Sequence, residues 1–193
     1  MANTTVDRRR MAIAFIANIA MFLTGMLGWY LAHSTALMAD AFDMLADASG
    51  YIVTWLVIGR TKRFHRHAAQ WNGAMLMVLG AGVLIDVIHH VISGSEPHGL
   101  LIFAFASLSL LVNSSVLAML SGYRNSEQVH LKATWIDTRA DVIVNVGVLV
   151  SGILVAVSGY RQIDWIAGLA IGAYVIHEGR EILEEAGKPE LEP

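Results

Sequence analysis

The 193 residues are 55% hydrophobic and only 15% charged, with no cysteine and a formal net charge of −3. A soluble domain carries about a quarter charged residues, so this balance excludes an ordinary water-soluble domain and gives no reason to expect a nucleic-acid partner. Without cysteine there are neither disulfides nor thiolate ligands, and any metal must be held by Asp, Glu, His or carbonyl oxygen.

Residues 1–10, MANTTVDRRR, run straight into an apolar segment longer than a signal-peptide core, with no small-residue cleavage site before the next polar group. That segment is read as a retained first span. Hydropathy places spans at 11–32, 35–59, 70–93, 99–121, 129–158 and 163–184, each near the roughly 20 residues a helix needs to cross a bilayer. The expected fold is an all-α integral membrane protein, a six-transmembrane-helix bundle filling residues 1–187. Residues 188–193 are expected to be a short, frayed cytoplasmic tail, with no folded domain after it.

Arg8, Arg9 and Arg10, then Arg60, Lys62, Arg63 and Arg66, then Arg124 and Lys132, fall at one set of span ends. The connections at the other ends carry Arg161 alone. By the positive-inside rule the basic ends are cytoplasmic, so both termini face the cytoplasm, as an even number of spans requires. The small size and short loops suggest a bacterial inner membrane.

Chemistry enters with the second span, HSTALMADAFDMLADASGY, where Asp40, Asp43 and Asp47 stand in one apolar helix. A spacing of four sets Asp43 and Asp47 on one face, one turn apart. The fifth span, ATWIDTRADVIVNVGVL, repeats the arrangement with Asp137 and Asp141. Carboxylates inside a membrane are costly and face a bundle interior or a wet pathway. Structural ion pairing would need cations, yet Arg139 is the only one deep in either motif, and its spacing of two from both aspartates turns it away from them. A divalent cation neutralises what one arginine cannot, because side-chain oxygens converging from two helices supply a tetrahedral shell or part of a larger one.

These motifs, with LLVNSSVLAML in the fourth span, HLKATWIDTRADVIVNVGVLVSG in the fifth and IDWIAGLAIGAYVI in the sixth, resemble the transmembrane domain of the cation diffusion facilitator family. The resemblance implies six membrane helices, metal export from the cytoplasm in exchange for protons, and a homodimer. Carried over by position, it makes Asp43, Asp47, Asp137 and Asp141 the metal ligands. The chain departs from zinc-selective members, which commonly have histidine at the positions of Asp43 and Asp137. An all-carboxylate shell is harder and favours manganese or ferrous iron relatively more, with zinc, cobalt and cadmium still within reach. The family's cytoplasmic C-terminal domain has no counterpart in these residues.

Other polar residues read differently. The loop RTKRFHRHAAQWNG contains His65 and His67, where family members often carry an accessory metal site, but its positive charge opposes cation binding. Asp86, His89 and His90 have a metal-binding spacing and are read as interfacial structure. Asp40, Asn113, Asn145 and Asp164 are read as helix-packing or capping groups. Asp164 begins the sixth span, where it complements that helix's N-terminus. Glycines 25, 28, 80, 82, 147, 152, 168 and 172 are read as close-packing positions.

Crowded carboxylates repel one another in a low dielectric, so an empty site is expected to hold protons that an arriving cation displaces. The substrate is thus a divalent metal exchanged for protons, with no organic cofactor. An intramembrane enzyme would need an activating base and an open coordination position, and neither HExxH nor a serine beside a base occurs. The alternative is a non-transporting metal-sensing or partner subunit on the same scaffold.

Overall fold

The computed structural model describes residues 4–57, 62–125 and 129–187. It contains six α-helices: α1 (Thr4–Ala32), α2 (Thr35–Val57), α3 (Lys62–Ser93), α4 (Gly99–Leu120), α5 (Val129–Ser158) and α6 (Gln162–Gly187), with a single 3-10 turn, Ser121–Tyr123, after α4. The expected tail, 188–193, lies outside the described residues.

Two helices begin earlier than hydropathy predicts. The α1 helix starts at Thr4 rather than residue 11, and its polar first turns are fastened to the far end of α4. Tyr123 Oη donates to Asp7 Oδ1 at 2.6 Å, and Arg10 lies over the Tyr123 ring. The α3 helix starts at Lys62 rather than residue 70, which takes the expected basic loop into helix. An apolar window cannot see either extension, because both turns are polar and lie beyond the hydrocarbon.

Four stretches, Val6–Ala32, Ala69–Ser93, Gly99–Tyr123 and Thr134–Ser158, are long and apolar enough to cross a membrane on composition alone. The exceptions are α2, which carries Asp40, Asp43 and Asp47, and α6, which carries Asp164 and Glu178, whereas Asp137 and Asp141 lie within the α5 stretch. Packing explains how α2 tolerates its acids: among the described helices it touches all five others, so its polar side chains meet protein rather than lipid. Ala36, Ala39, Ala41, Ala46 and Ala48 on α2 are buried, and these small side chains let neighbouring backbones approach.

The most extensive pairings are α3 with α6, α1 with α2, and α4 with α5. On α3 and α6 the backbones touch at glycine, where a Cβ on Gly73 or on Gly179 would sit 2.8 Å from the other's carbonyl oxygen. Gly147 corrects the packing expectation, since a Cβ there would meet nothing within 4 Å. Large apolar side chains such as Ile16, Leu23, Val78, Ile85, Leu111 and Ile143 point outward, as a lipid-facing surface requires. Trp55 and Trp71 are exposed near one end of the bundle, and Tyr30 and Tyr160 near the other. Paired aromatic belts of this kind mark the two membrane interfaces.

At the belt containing Tyr30, Asp164 caps a helix other than its own. Its carboxylate accepts from Thr35 N at 2.8 Å, Thr35 Oγ1 at 3.0 Å and Ser34 Oγ at 2.5 Å, all at the start of α2. Ser34 Oγ in turn accepts from Leu37 N at 3.2 Å. Asp164 stands in the first turn of α6, as expected, and as a packing and capping group it also satisfies the orphan amides of α2 and fixes the height of α2 in the bundle.

Candidate metal centre

The inner part of α2 holds two acidic environments. Asp40, 1% exposed, is fully engaged: Ser109 Oγ donates to Oδ2 at 2.9 Å and Asn145 Nδ2 to Oδ1 at 2.5 Å. Asn113 Nδ2 donates to Asn145 Oδ1 at 3.0 Å, which completes a buried network joining α2, α4 and α5. Asp40, Asn113 and Asn145 therefore fasten helices together, as read from the sequence.

Two turns further along α2 the arrangement changes. Asp47 of α2 and Asp141 of α5 lie within hydrogen-bond reach of one another, and Asp43 adjoins both through space. Asp43 is 3% exposed and Asp141 5%. Asp47 Oδ2 and Asp141 Oδ2 are buried without any hydrogen-bond partner. Ionised carboxylates only accept, so a hydrogen bond between two of them requires a shared proton, and an unsatisfied buried oxygen is costly. The pair is therefore suited to hold either a proton or a cation.

Asp137, one turn from Asp141, lines a cavity of about 100 Å³ between α2, α3, α5 and α6. The cavity wall also includes Asp47, Gly50, Tyr51, Asn72, Thr134 and Glu178. Tyr51 Oη and Thr138 Oγ1 are 2.7 Å apart, tying α2 to α5 beside the aspartates, and Ser49 Oγ is hydrogen-bonded to Asn72 Oδ1. Asp137 is exposed, Asp47 and Glu178 are half-buried, and Asp43 and Asp141 are buried. The acids thus grade from the cavity surface into the bundle. Among the described residues no three His, Asp or Glu side chains stand close enough to hold one ion, so the carboxylates are gathered without being closed into a shell. Arg139 is exposed and lies 6.0 Å from the Trp135 ring centre, away from the aspartates.

Glu178 lies inside the sixth span expected at 163–184 and is not singled out from the sequence. Its signal was periodicity: Ile171 and Val175 are buried on α6, and positions 178 and 182 continue that inward stripe. His65 and His67 fall on α3, where a spacing of two separates positions by about 200° around the axis. His67 is exposed, and the side chain of His65 lies outside the described residues. His90 Nδ1 lies 3.2 Å from Asp86 Oδ2 and 2.9 Å from the Asp86 carbonyl oxygen one turn back, with His89 edge-on to His90, which matches an interfacial structural role.

The structure is thus a six-helix membrane bundle with acids from α2, α5 and α6 around one cavity. The family model for the cation efflux transmembrane domain matches residues 11–188, and the chain belongs to that family, the cation diffusion facilitators. It is 24% identical over 192 residues to "Zinc transporter ZitB" of Yersinia pestis, covering 93% of this chain and 62% of the relative. It is 22% identical over 197 residues to the "Cadmium, cobalt and zinc/H(+)-K(+) antiporter" of Bacillus subtilis, covering 95% and 63%. It is 23% identical over 182 residues to "Metal cation efflux system protein CzcD" of Cupriavidus metallidurans, covering 88% and 57%. The chain spans about three fifths of the length of the curated relatives it matches.

Proposed function

We propose that the chain exports a divalent transition-metal cation from the cytoplasm in exchange for protons, with Asp43, Asp47, Asp137 and Asp141 as ligands. The observation that carries this reading is the Asp47–Asp141 pair: two helices bring carboxylates to one point, and the Oδ2 of each is buried without a hydrogen-bond donor. A proton and a metal ion compete for those same atoms, so binding one releases the other. Where opposite sides of the membrane differ in access to the site, that competition couples the two fluxes.

The names of the relatives support zinc, cadmium and cobalt as candidate cargo. The all-carboxylate shell supports manganese and ferrous iron beside them. The basic ends of α1 and α3 support a cytoplasmic location for both termini, in a bacterial inner membrane, and the cavity opens in that half of the bundle. Assembly as a homodimer belongs to the same reading.

Reconstitution in liposomes tests it. With an imposed pH gradient, Zn2+ or Mn2+ flux is expected to run against the proton flow and to reverse when the gradient is reversed. Flux indifferent to the gradient removes proton exchange, and absence of metal flux removes transport.

A further inference from the structure

The two aspartate motifs leave one carboxylate of the cavity unexplained. Four groups near the end of α6 lie outside and pair with one another: His177 Nε2 is 3.4 Å from Glu181 Oε1, and Arg180 Nε is 2.6 Å from Glu184 Oε1. Glu178 instead faces inward, half-buried, onto the cavity that Asp47 and Asp137 share. Its Oε1 accepts from Tyr174 Oη at 3.2 Å, which holds the carboxyl in place without neutralising it. Among the described residues no Lys, Arg or His stands within ion-pair distance of it.

A half-buried carboxylate with no cation beside it is an expensive feature in a membrane bundle unless a cation visits. The depth order supplies the visitor's route. Asp137 is exposed, Glu178 and Asp47 are half-buried, and beyond them Asp141 is 5% exposed with Oδ2 unpartnered. An ion entering this cavity meets exposed Asp137 of α5, with Glu178 of α6 and Asp47 of α2 on the same wall, before it reaches buried Asp141. Hydrated divalent ions shed water reluctantly, and acidic groups lining a low-dielectric cleft raise the local cation concentration while that happens.

We propose that Glu178, together with Asp137, forms a capture site for a hydrated divalent cation at the mouth of the cavity, from which the ion passes to Asp47, Asp141 and Asp43. The proposal rests on the transport reading above and adds a ligand on a third helix. Glutamate suits this position because its longer side chain reaches into the cavity from α6 and releases the ion inward by a rotamer change.

Initial rates of Mn2+ and Zn2+ uptake into liposomes, measured against metal concentration, test it. Glu178→Gln keeps the size of the side chain and an acceptor for Tyr174, so it removes the charge alone. It is expected to raise KM about tenfold with a much smaller fall in maximal rate, as loss of one partly screened charge implies. Glu178→Asp, which keeps the charge, recovers most of the KM. Glu178→Ser carries the same expectation as Glu178→Gln should that variant not fold. An unchanged KM in a folded neutral variant overturns the capture role alone, provided wild type transports and Asp47→Asn does not. Wild type that moves neither ion, or Asp47→Asn that moves them as well as wild type, overturns the transport reading and this proposal with it.

Discussion

Asp40 and Asp47 lie on the same helix two turns apart, yet their surroundings differ. Asp40 has both oxygens met, by Ser109 and Asn145, and Asp164 at the start of α6 is likewise saturated by Ser34 and Thr35. Asp47 and Asp141 lie against each other, and the Oδ2 of each is buried with no protein donor to meet it. Residue type is the same and Asp141 is nearly as buried as Asp40, so satisfaction is what separates them. A carboxylate whose oxygens are used by the fold holds helices in place, and one whose oxygens are left open is available to a cation or a proton.

That contrast can be tested from its structural side. Asp164→Ala strips the cap from α2 and leaves the Thr35 amide and the Ser34 hydroxyl buried without their acceptor, while the Thr35 hydroxyl keeps only the backbone carbonyl of residue 164 at 3.2 Å. The expected cost is about 3 kcal/mol, read as a fall of roughly 6–12 °C in melting temperature. A melting temperature within a degree of wild type would show that the cap contributes nothing. Asp40→Asn is expected to do much less, because the amide oxygen still accepts from Asn145 and the amide nitrogen can donate to Ser109 after the hydroxyl turns. Stability is expected to change by about 1 kcal/mol or less, checked in the same thermal assay, with metal uptake retained. Loss of uptake in a folded Asp40→Asn protein would erase the distinction drawn here and place Asp40 among the transport residues.

Much of this arrangement is legible in the sequence. Six apolar runs predict six helices, and the repeated DxxxD spacing already puts each carboxylate pair on one helix face. What hydropathy missed is polar: the first turns of α1, anchored through Asp7 to Tyr123, and those of α3, which hold His65 and His67. Tertiary partners were equally out of reach. Nothing local to Asp164 says that its carboxylate caps a helix about 130 residues earlier in the chain, because that depends on where α2 and α6 meet. Glu178 was hidden by its neighbours, since the run HEGREILEE reads as a solvated helix end. Only the inward stripe of Ile171 and Val175 distinguishes position 178 from 177, 180 and 181.

The central claim concerns the open oxygens of Asp47 and Asp141. It is tested most directly by titrating Zn2+ or Mn2+ into purified wild type and the Asp47→Asn, Asp141→Asn double variant, in two buffers of different protonation enthalpy. Wild type is expected to bind with release of protons, and the folded double variant to lose both the binding and the release. Undiminished binding by the double variant, with the same proton release, would contradict the account.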